Sequence, residues 1–288
     1  PLIPDLAMAR DRSTGWRHTF VRFLSLGWRG LEAEWRYLNL AITIFAFAII
    51  PVAFSVHTIV AWDFAMTRVI GWSSTIFGPY FVIGAIYSGV AAVITILFIV
   101  RYNMKLHYFI RREHFDALGK LLLVFSLSWS YFFFADYLTE WYGGGAIGHT
   151  VLALLTSPSG AVAPFWYSML LFNIVIPWLT LWNRHVRNSP TALLLVALGV
   201  NVGMFLERYV IVTGIARRNR LPFNWGEYAP SAVEVMIFAG SVAMFLLLYG
   251  VFSRLVPIIP VWEVHEGHLV YGLKRVGKAT VTSVVNLE

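Results

Sequence analysis

The chain has 288 residues, of which 58% are hydrophobic, 16% aromatic and only 13% charged, and its mean hydropathy is +0.69. This composition excludes a water-soluble protein, a disordered chain and a collagen-like repeat, and it indicates an integral membrane protein. There is no cysteine, which excludes a disulfide scaffold and cysteine-ligated zinc, iron–sulfur or c-type haem centres. Any metal redox centre is therefore expected in a partner subunit.

Six segments are long and apolar enough to cross the hydrocarbon core, which takes about 20 residues in a helix. In chain order, the predicted spans A to F cover residues 38–62, 77–100, 118–142, 161–183, 190–215 and 231–253. Turn formers separate them, such as the glycine run 143–145 between C and D. The predicted fold class is all-α, a polytopic transmembrane helix bundle with six spans in this chain.

The segment before span A combines arginines with Trp16, Phe20, Phe23 and Trp28. This pattern is typical of an amphipathic helix at the membrane interface, and a contact surface for a partner subunit is the alternative. The predicted parts of the chain are a cytoplasmic or interfacial segment 1–37, the bundle 38–253 and a cytoplasmic tail 254–288. Because the chain opens at a proline without a signal-peptide pattern, we expect it to begin within a longer protein.

The 22 lysines and arginines are distributed unevenly between the loops. Seventeen lie before span A, in or next to the B/C loop, in the D/E loop or after F, whereas four lie in the A/B and E/F loops. Loops rich in lysine and arginine stay in the cytoplasm, so both ends of the chain are predicted to be cytoplasmic. The net charge of +7 does not indicate nucleic acid, because no nucleic-acid-binding motif accompanies it, and lipids are the expected partner.

Ionisable side chains inside the spans are the candidate functional residues, since each costs about 3 kcal/mol or more at membrane depth. They are His57 in span A and Asp63 at its end, Asp136 and Glu140 in C, Glu207 and Arg208 in E, and Glu234 at the start of F. With the predicted orientation, His57, Asp136 and Arg208 lie roughly 10 Å from the middle of their spans toward the outer face. They predict one polar layer in the outer half of the bundle.

The spacing of these residues suits proton chemistry. Asp136 and Glu140, four residues apart, share one helix face, whereas His57 and Asp63, six apart, need not touch. Histidine titrates near neutral pH and neighbouring carboxyl groups can share a proton, so the layer suits proton transfer. It equally suits a quinone headgroup, whose oxygens accept protons and hydrogen bonds. The other histidines lie in loops or the tail, so no metal site and no histidine-ligated membrane haem is predicted.

Each candidate also has a purely structural interpretation. His57 is then a packing histidine, Glu207 and Arg208 form an ion pair with neighbours, and Asp63 is solvated at the membrane boundary. This interpretation suits Asp136 and Glu140 least. The small residues of the stripe Gly84, Ser88 and Ala92 are expected to let helices pack closely. An aromatic belt is the expected explanation for Trp62, Trp72, Trp129, Trp141, Trp178 and Trp182.

Several stretches carry a family likeness over nearly the whole chain. They are SVHTIVAWDFA at 55–65, GWSSTIFGPYF at 71–81, GAIYSG at 84–89, the segment 135–143, NVGMFLERYV at 201–210 and parts of 221–234. These stretches resemble the NrfD/PsrC-like polytopic membrane subunits, most of all the quinol-binding subunit of bacterial alternative complex III. Members of that family have more spans than six, so the resemblance implies that this chain is the C-terminal six-helix part and that N-terminal helices are missing.

The resemblance implies a quinol-oxidising subunit of a respiratory or photosynthetic complex in the bacterial inner membrane, with its site near the outer face. Electrons would leave to a partner iron–sulfur subunit and then to cytochrome c subunits or a similar acceptor, beside a paralogous NrfD-like membrane subunit. The implied cofactor is a non-covalent quinone or menaquinone, with no haem or iron–sulfur cluster in this chain. The positions that match the polar motif of the family are His57, Asp63, Asp136, Glu140, Glu207 and Arg208, and His57, Asp63 and Arg208 are the expected quinone contacts.

Two alternatives stay open. The intramembrane carboxylates also fit a quinone-free proton-conducting or assembly paralogue in the same kind of complex. A secondary transporter is less suitable, because the sequence shows neither repeated halves nor paired helices broken by glycine and proline.

Overall fold

A computed structural model of the chain describes residues 2–67, 72, 74–107, 109–158, 160, 162–214, 230–255, 262, 270–276 and 279–285. The helices are α1 Leu2–Arg12, α2 Gly15–Leu24, α3 Glu32–Ala61, α4 Phe77–Asn103, α5 Arg112–Gly143, α6 Gly145–Thr156, α7 Ala163–Leu170, α8 Ile176–Leu181, α9 Arg184–Asn188, α10 Pro190–Thr213 and α11 Ala232–Leu255. π-helical turns follow α3 at Trp62–Met66 and join α7 to α8 at Leu171–Val175. Strands β1 Val270–Val276 and β2 Ala279–Val285 form an antiparallel hairpin in the tail, where the sequence analysis assigned no secondary structure.

Among the described residues, six helical segments are long and apolar enough to cross a membrane, and they correspond one to one with spans A to F. They are Glu32–Met66, Phe77–Asn103, Arg112–Gly143, Ala163–Leu181, Pro190–Thr213 and Ala232–Arg254. The prediction of an all-α, multi-pass membrane fold is therefore confirmed. The helices α3 and α5 begin earlier than spans A and C, because their first turns carry charged residues such as Glu32, Glu34 and Glu113 that hydropathy leaves outside a span.

The described residues divide into two compact units, Pro1–Ala48 with Pro230–Glu288 (unit 1) and Ile49–Ala229 (unit 2). In unit 2, α4, α5 and α10 pack along one another, and α7 and α8 pack against them. Large aromatic side chains fill this core, and Trp129, Tyr80, Tyr87, Phe77 and Phe115 are among the fully buried ones. Helices α4, α5 and α10 therefore pack around aromatic rings, and the polar side chains between these helices are shielded from solvent.

Span D is interrupted at Asn173 for a reason visible in the sequence. Four residues later stands Pro177, which has no N–H to donate to the Asn173 carbonyl oxygen. The chain makes a π-helical turn at 171–175, and the Asn173 carbonyl instead accepts hydrogen bonds from the Tyr87 hydroxyl at 3.1 Å and the Ser126 hydroxyl at 3.0 Å. Because Pro177 leaves the Asn173 carbonyl without its helical donor, this carbonyl links span D to α4 and α5 through the two hydrogen bonds.

An arginine fastens the start of α5 to the end of α8. Arg187 Nε lies 3.0 Å from Asp116 Oδ1, and Nη1 donates to the carbonyl oxygens of Leu181 and Trp182 at 2.6 and 2.9 Å. Lys120 Nζ reaches the other oxygen of Asp116 at 2.6 Å. This network lies at the start of α5, at the opposite end of that helix from Asp136 and Glu140.

Unit 1 contains the charged N-terminal segment, the start of α3, and α11. In it α1 and α2 pack through Leu6 and Val21, while Trp16, Phe20 and Phe23 of α2 are exposed. Glu234 caps the start of α11, because its carboxylate accepts from the backbone N–H of Ser231 at 2.6 Å. Glu234 therefore has a structural role at the helix end.

Candidate functional site

Glu207 lies where the three central helices of unit 2 meet. Its side chain, on α10, is 1% exposed. Trp129 of α5 donates its indole N–H to Oε1 at 3.2 Å, and Nη2 of Arg208 is 3.9 Å from Oε2. Tyr80 of α4 interacts with the same carboxylate. One acidic group thus connects α4, α5 and α10.

Arg208 reaches across to α4. Its Cζ lies 3.6 Å from the centroid of the Phe81 ring, and Nη2 donates to the Phe81 carbonyl at 3.4 Å. Gly84 leaves the room for this contact, since a Cβ there would lie 2.9 Å from Nη2 and 3.0 Å from Met204 Cε. The glycine of the predicted small-residue stripe therefore accommodates a guanidinium as well as a neighbouring helix.

Asp136 and Glu140 form a second pair, one turn apart on α5; this pair and the pair Glu207 and Arg208 are called the acidic pairs because each contains a buried carboxylate. Asp136 is 0% exposed and Glu140 4% exposed. Neither carboxylate oxygen of Asp136 has a hydrogen-bond partner among the described residues. Burying an ionised carboxylate in this way costs several kcal/mol, so the group requires a proton, a water molecule or a polar ligand.

The glycine run after α5 makes space for Glu140. Gly145 begins α6 with a φ of +56°, a conformation that favours glycine. Oε2 of Glu140 lies 2.8 Å from the position that a Cβ would take at Gly144 and 3.2 Å from that at Gly148. The run was predicted only as a helix breaker, and it also shapes the surroundings of this carboxylate.

Tyr137 interacts electrostatically with one carboxylate of each pair, Asp136 and Glu207. Its hydroxyl accepts a hydrogen bond from the Trp166 indole at 3.0 Å. The ring of Phe133 packs on Tyr137 with centroids 4.3 Å apart and stacks on Trp129 at 5.2 Å. Trp129, Phe133, Tyr137 and Trp166 therefore form one continuous group of rings that contacts Glu207 through the Trp129 indole.

His57 and Asp63 lie at the end of α3 and in the π turn that follows. His57 is half-buried, and its Nδ1 lies 2.8 Å from the Ala53 carbonyl, which can only accept, so Nδ1 carries hydrogen and Nε2 is left for a ligand. Asp63 is exposed. Within the described ranges, no hydrogen bond or ion pair joins either residue to the other or to the acidic pairs. The candidates thus form the pair Glu207 and Arg208, the pair Asp136 and Glu140, and two separate side chains.

The aromatic-belt interpretation is wrong for two of the six tryptophans. Trp129 is 0% exposed and Trp72 3% exposed, and Trp72 donates to the Ile211 carbonyl at 3.3 Å. The other four, Trp62, Trp141, Trp178 and Trp182, are exposed as a belt requires. The spacing could have revealed Trp129, which lies seven residues before Asp136 and hence on the same face of α5.

Sequence analysis also missed Asn173. This residue is 0% exposed, and neither atom of its carboxamide has a hydrogen-bond partner among the described residues. The carboxamide presses against Gly203, one turn before Glu207 on α10. An asparagine four residues before a proline in an apolar span was the available sign.

The family model for polysulphide reductase, NrfD, matches residues 16–216, a range that includes all six candidate residues. The chain belongs to the NrfD family. The predicted resemblance is thereby confirmed at the level of the family, and the chain is a membrane subunit of a quinone-linked redox complex. A search of curated proteins found no match.

NrfD-family proteins bind quinone and partner with iron–sulfur subunits. The side chains of this NrfD protein fit a quinone headgroup in their chemistry: Arg208 is 28% exposed with Nη1 lacking a hydrogen-bond partner, His57 has Nε2 available, and Asp63 is exposed. Among the residues that the structure describes, no group of three histidine, aspartate or glutamate side chains could hold a metal ion. Each of the side chains of Arg208, His57 and Asp63 can therefore form a hydrogen bond with a polar group.

Proposed function

We propose that this NrfD-family chain is the quinol-oxidising membrane subunit of a complex of the alternative complex III type in the bacterial inner membrane. Its partners are then an iron–sulfur subunit, cytochrome c subunits and a paralogous NrfD-like subunit. The observation that carries the proposal is Asp136, a fully buried carboxyl group whose two oxygens lack a hydrogen-bond partner among the described residues. Oxidation of a quinol releases protons together with electrons, so its site needs such a group.

The proposed roles follow from the surroundings of each side chain. His57 Nε2, Asp63 and the Arg208 guanidinium hold the headgroup of the quinol or menaquinol, which supplies the electrons and protons. Asp136 accepts a proton at a carboxylate oxygen, and Glu140, one turn further along α5, receives it next. Glu207, held by Trp129 and Arg208, fixes the position of α10 and hence of the guanidinium.

The proposal includes an orientation. Both ends of the chain face the cytoplasm, with residues 1–37 at the membrane interface, 38–253 as the bundle and 254–288 as the tail, so that the acidic pairs lie in the outer half. Cysteines introduced at Gly145 and Lys274 should react with an impermeant reagent from opposite sides. Labelling from the same side would overturn this orientation.

The experiment is quinol-dependent reduction of the acceptor by the purified complex with all its redox centres. Glu140→Gln should slow turnover, because an amide cannot carry the proton. Glu113→Gln is the matched control, since Glu113 is an exposed residue in the first turn of the same helix, and it should leave turnover unchanged. An intact complex that quinol fails to reduce would contradict the proposal.

One observation favours a second candidate, the quinone-free proton-conducting or assembly paralogue. Asp136 and Glu207 are closed off by packed rings, which suits groups that pass protons without touching a headgroup. This candidate predicts that the purified complex contains no quinone bound to this chain and that His57→Gln leaves quinol oxidation unchanged.

A further inference from the structure

Unit 1 contains a cavity of about 830 Å³ that is remote in sequence from the acidic pairs. Three tryptophans, Trp28, Trp35 and Trp262, line it together with Arg10 and Arg29. The volume falls in the range of about 300–1,000 Å³ that is usual for ligand sites. The cavity is thus large enough for a ligand with both an apolar part and a polar group.

The wall of the cavity is held in place by specific contacts. Trp35 packs against both other indoles, with centroids 5.1 Å from Trp28 and 5.1 Å from Trp262. The backbone N–H of Trp262 donates to Asp5 Oδ1 at 3.0 Å, and Arg10 Nη1 donates to the Trp28 carbonyl at 3.1 Å. The cavity therefore brings together residues from both ends of the chain before any ligand arrives.

The charge of the lining is positive. Among the described residues that line it, the one carboxylate is Asp11, which pairs with Arg10 Nε at 2.8 Å. The nearby carboxylate of Glu34 accepts the backbone N–H groups of Arg29 and Leu31, each at 3.0 Å, and interacts with Arg29 electrostatically without forming an ion pair with it among the described residues. An anionic group is the ligand that complements this wall.

The surroundings of the cavity point to the membrane surface. α2 exposes Trp16, Phe20 and Phe23 beside Arg17 and Arg22, a pattern typical of a helix at the lipid headgroups. Tryptophan also prefers that depth, since its ring is apolar and its N–H is polar.

We propose that the cavity binds one anionic phospholipid, with the phosphate against Arg10 and Arg29 and the glycerol region against the three indoles. A lipid is favoured over free phosphate because indole rings and aliphatic side chains make up most of the wall. The site lies outside the acidic pairs and does not depend on the proposed quinol chemistry.

The test uses the full chain in neutral detergent, with bound lipid counted by native mass spectrometry. Dioleoylphosphatidylglycerol should bind about fivefold more tightly than dioleoylphosphatidylcholine, as expected for about 1 kcal/mol from Arg29 alone, because Arg10 is paired with Asp11. Arg29→Gln should remove that preference and Arg29→Lys should retain it. Arg36→Gln is the matched control, because Arg36 is an exposed arginine that does not line the cavity.

Three outcomes would overturn the proposal. The first is equal binding of phosphatidylglycerol by the wild-type chain and Arg29→Gln. The second is an equal loss in Arg36→Gln, which would indicate general surface charge. The third is displacement of the lipid by millimolar inorganic phosphate, which would assign the cavity to a free anion.

Discussion

Glu207 and Asp136 of unit 2 are equally buried but differ in their partners. Glu207 accepts a hydrogen bond from Trp129 and has Arg208 at 3.9 Å. Asp136 has no hydrogen-bond partner for either oxygen among the described residues, and its neighbour Glu140 carries the same charge. Burial alone therefore does not distinguish a structural carboxylate from a reactive one, whereas the hydrogen-bond and ion-pair partners of each carboxylate do.

The difference is physical. A buried charge that the chain itself pairs contributes to helix packing, and removing one partner leaves the other uncompensated. A buried carboxyl group without a hydrogen-bond partner among the described residues adds no polar contact to helix packing there and remains available for protons or polar ligands. Variants of the first pair should therefore affect stability, and variants of Asp136 should affect function.

The largest effect on stability is expected for Arg208→Met. It leaves Glu207 as an uncompensated buried charge, which should lower the free energy of unfolding by about 3 kcal/mol. Unfolding in detergent measures this, and the double variant with Glu207→Gln should recover most of the loss. As a control, Arg36→Met breaks an exposed pair with Glu32 and should cost less than about 1 kcal/mol. Wild-type stability in Arg208→Met would show that Arg208 does not stabilise the buried Glu207 carboxylate, which would contradict the distinction between Glu207 and Asp136.

A smaller loss is expected for Trp129→Phe. The phenyl ring is smaller than the indole and lacks the N–H that reaches Glu207, and the two losses together should cost about 2 kcal/mol. Trp141→Phe is the control on the same helix, because Trp141 is 57% exposed and should tolerate the change. Equal melting temperatures of the two variants would show that the indole hydrogen bond contributes little.

Much of this architecture could be predicted from the sequence. The six spans and their order follow from local hydropathy, and the ionisable residues inside them are visible directly. The burial of Trp129 was not predicted, although its spacing to Asp136 places both residues on the same face of α5. The role of Gly144 beside Glu140 depends on how α6 folds back, which no local pattern specifies.

Asn173 shows where closer reading of the sequence would have helped. The spacing to Pro177 predicts a carbonyl without its helical donor. That Tyr87 and Ser126 supply the replacement donors depends on the packing of three helices and could not be predicted. The loss of a hydrogen bond within one helix was thus predictable, whereas the donors that replace it from other helices were not.

The smallest structural perturbation is expected for Gly84→Ala. The added methyl group would press on Arg208 and Met204, so stability should fall by about 1 kcal/mol. Gly89→Ala on the same helix meets nothing within 4 Å and should be neutral or stabilising, because alanine favours helix. A loss in Gly89→Ala as large as that in Gly84→Ala would show that the guanidinium contact is unimportant.

The most direct test is turnover per assembled complex in Asp136→Asn. The amide keeps the volume and hydrogen-bonding capacity of the side chain but cannot transfer the proton, so assembly and melting temperature should match the wild type while quinol-dependent turnover falls at least tenfold. Turnover is measured at equal amounts of assembled complex, with Glu113→Gln alongside. Wild-type turnover, or lost assembly with normal turnover in the complex that remains, would contradict the role assigned to Asp136.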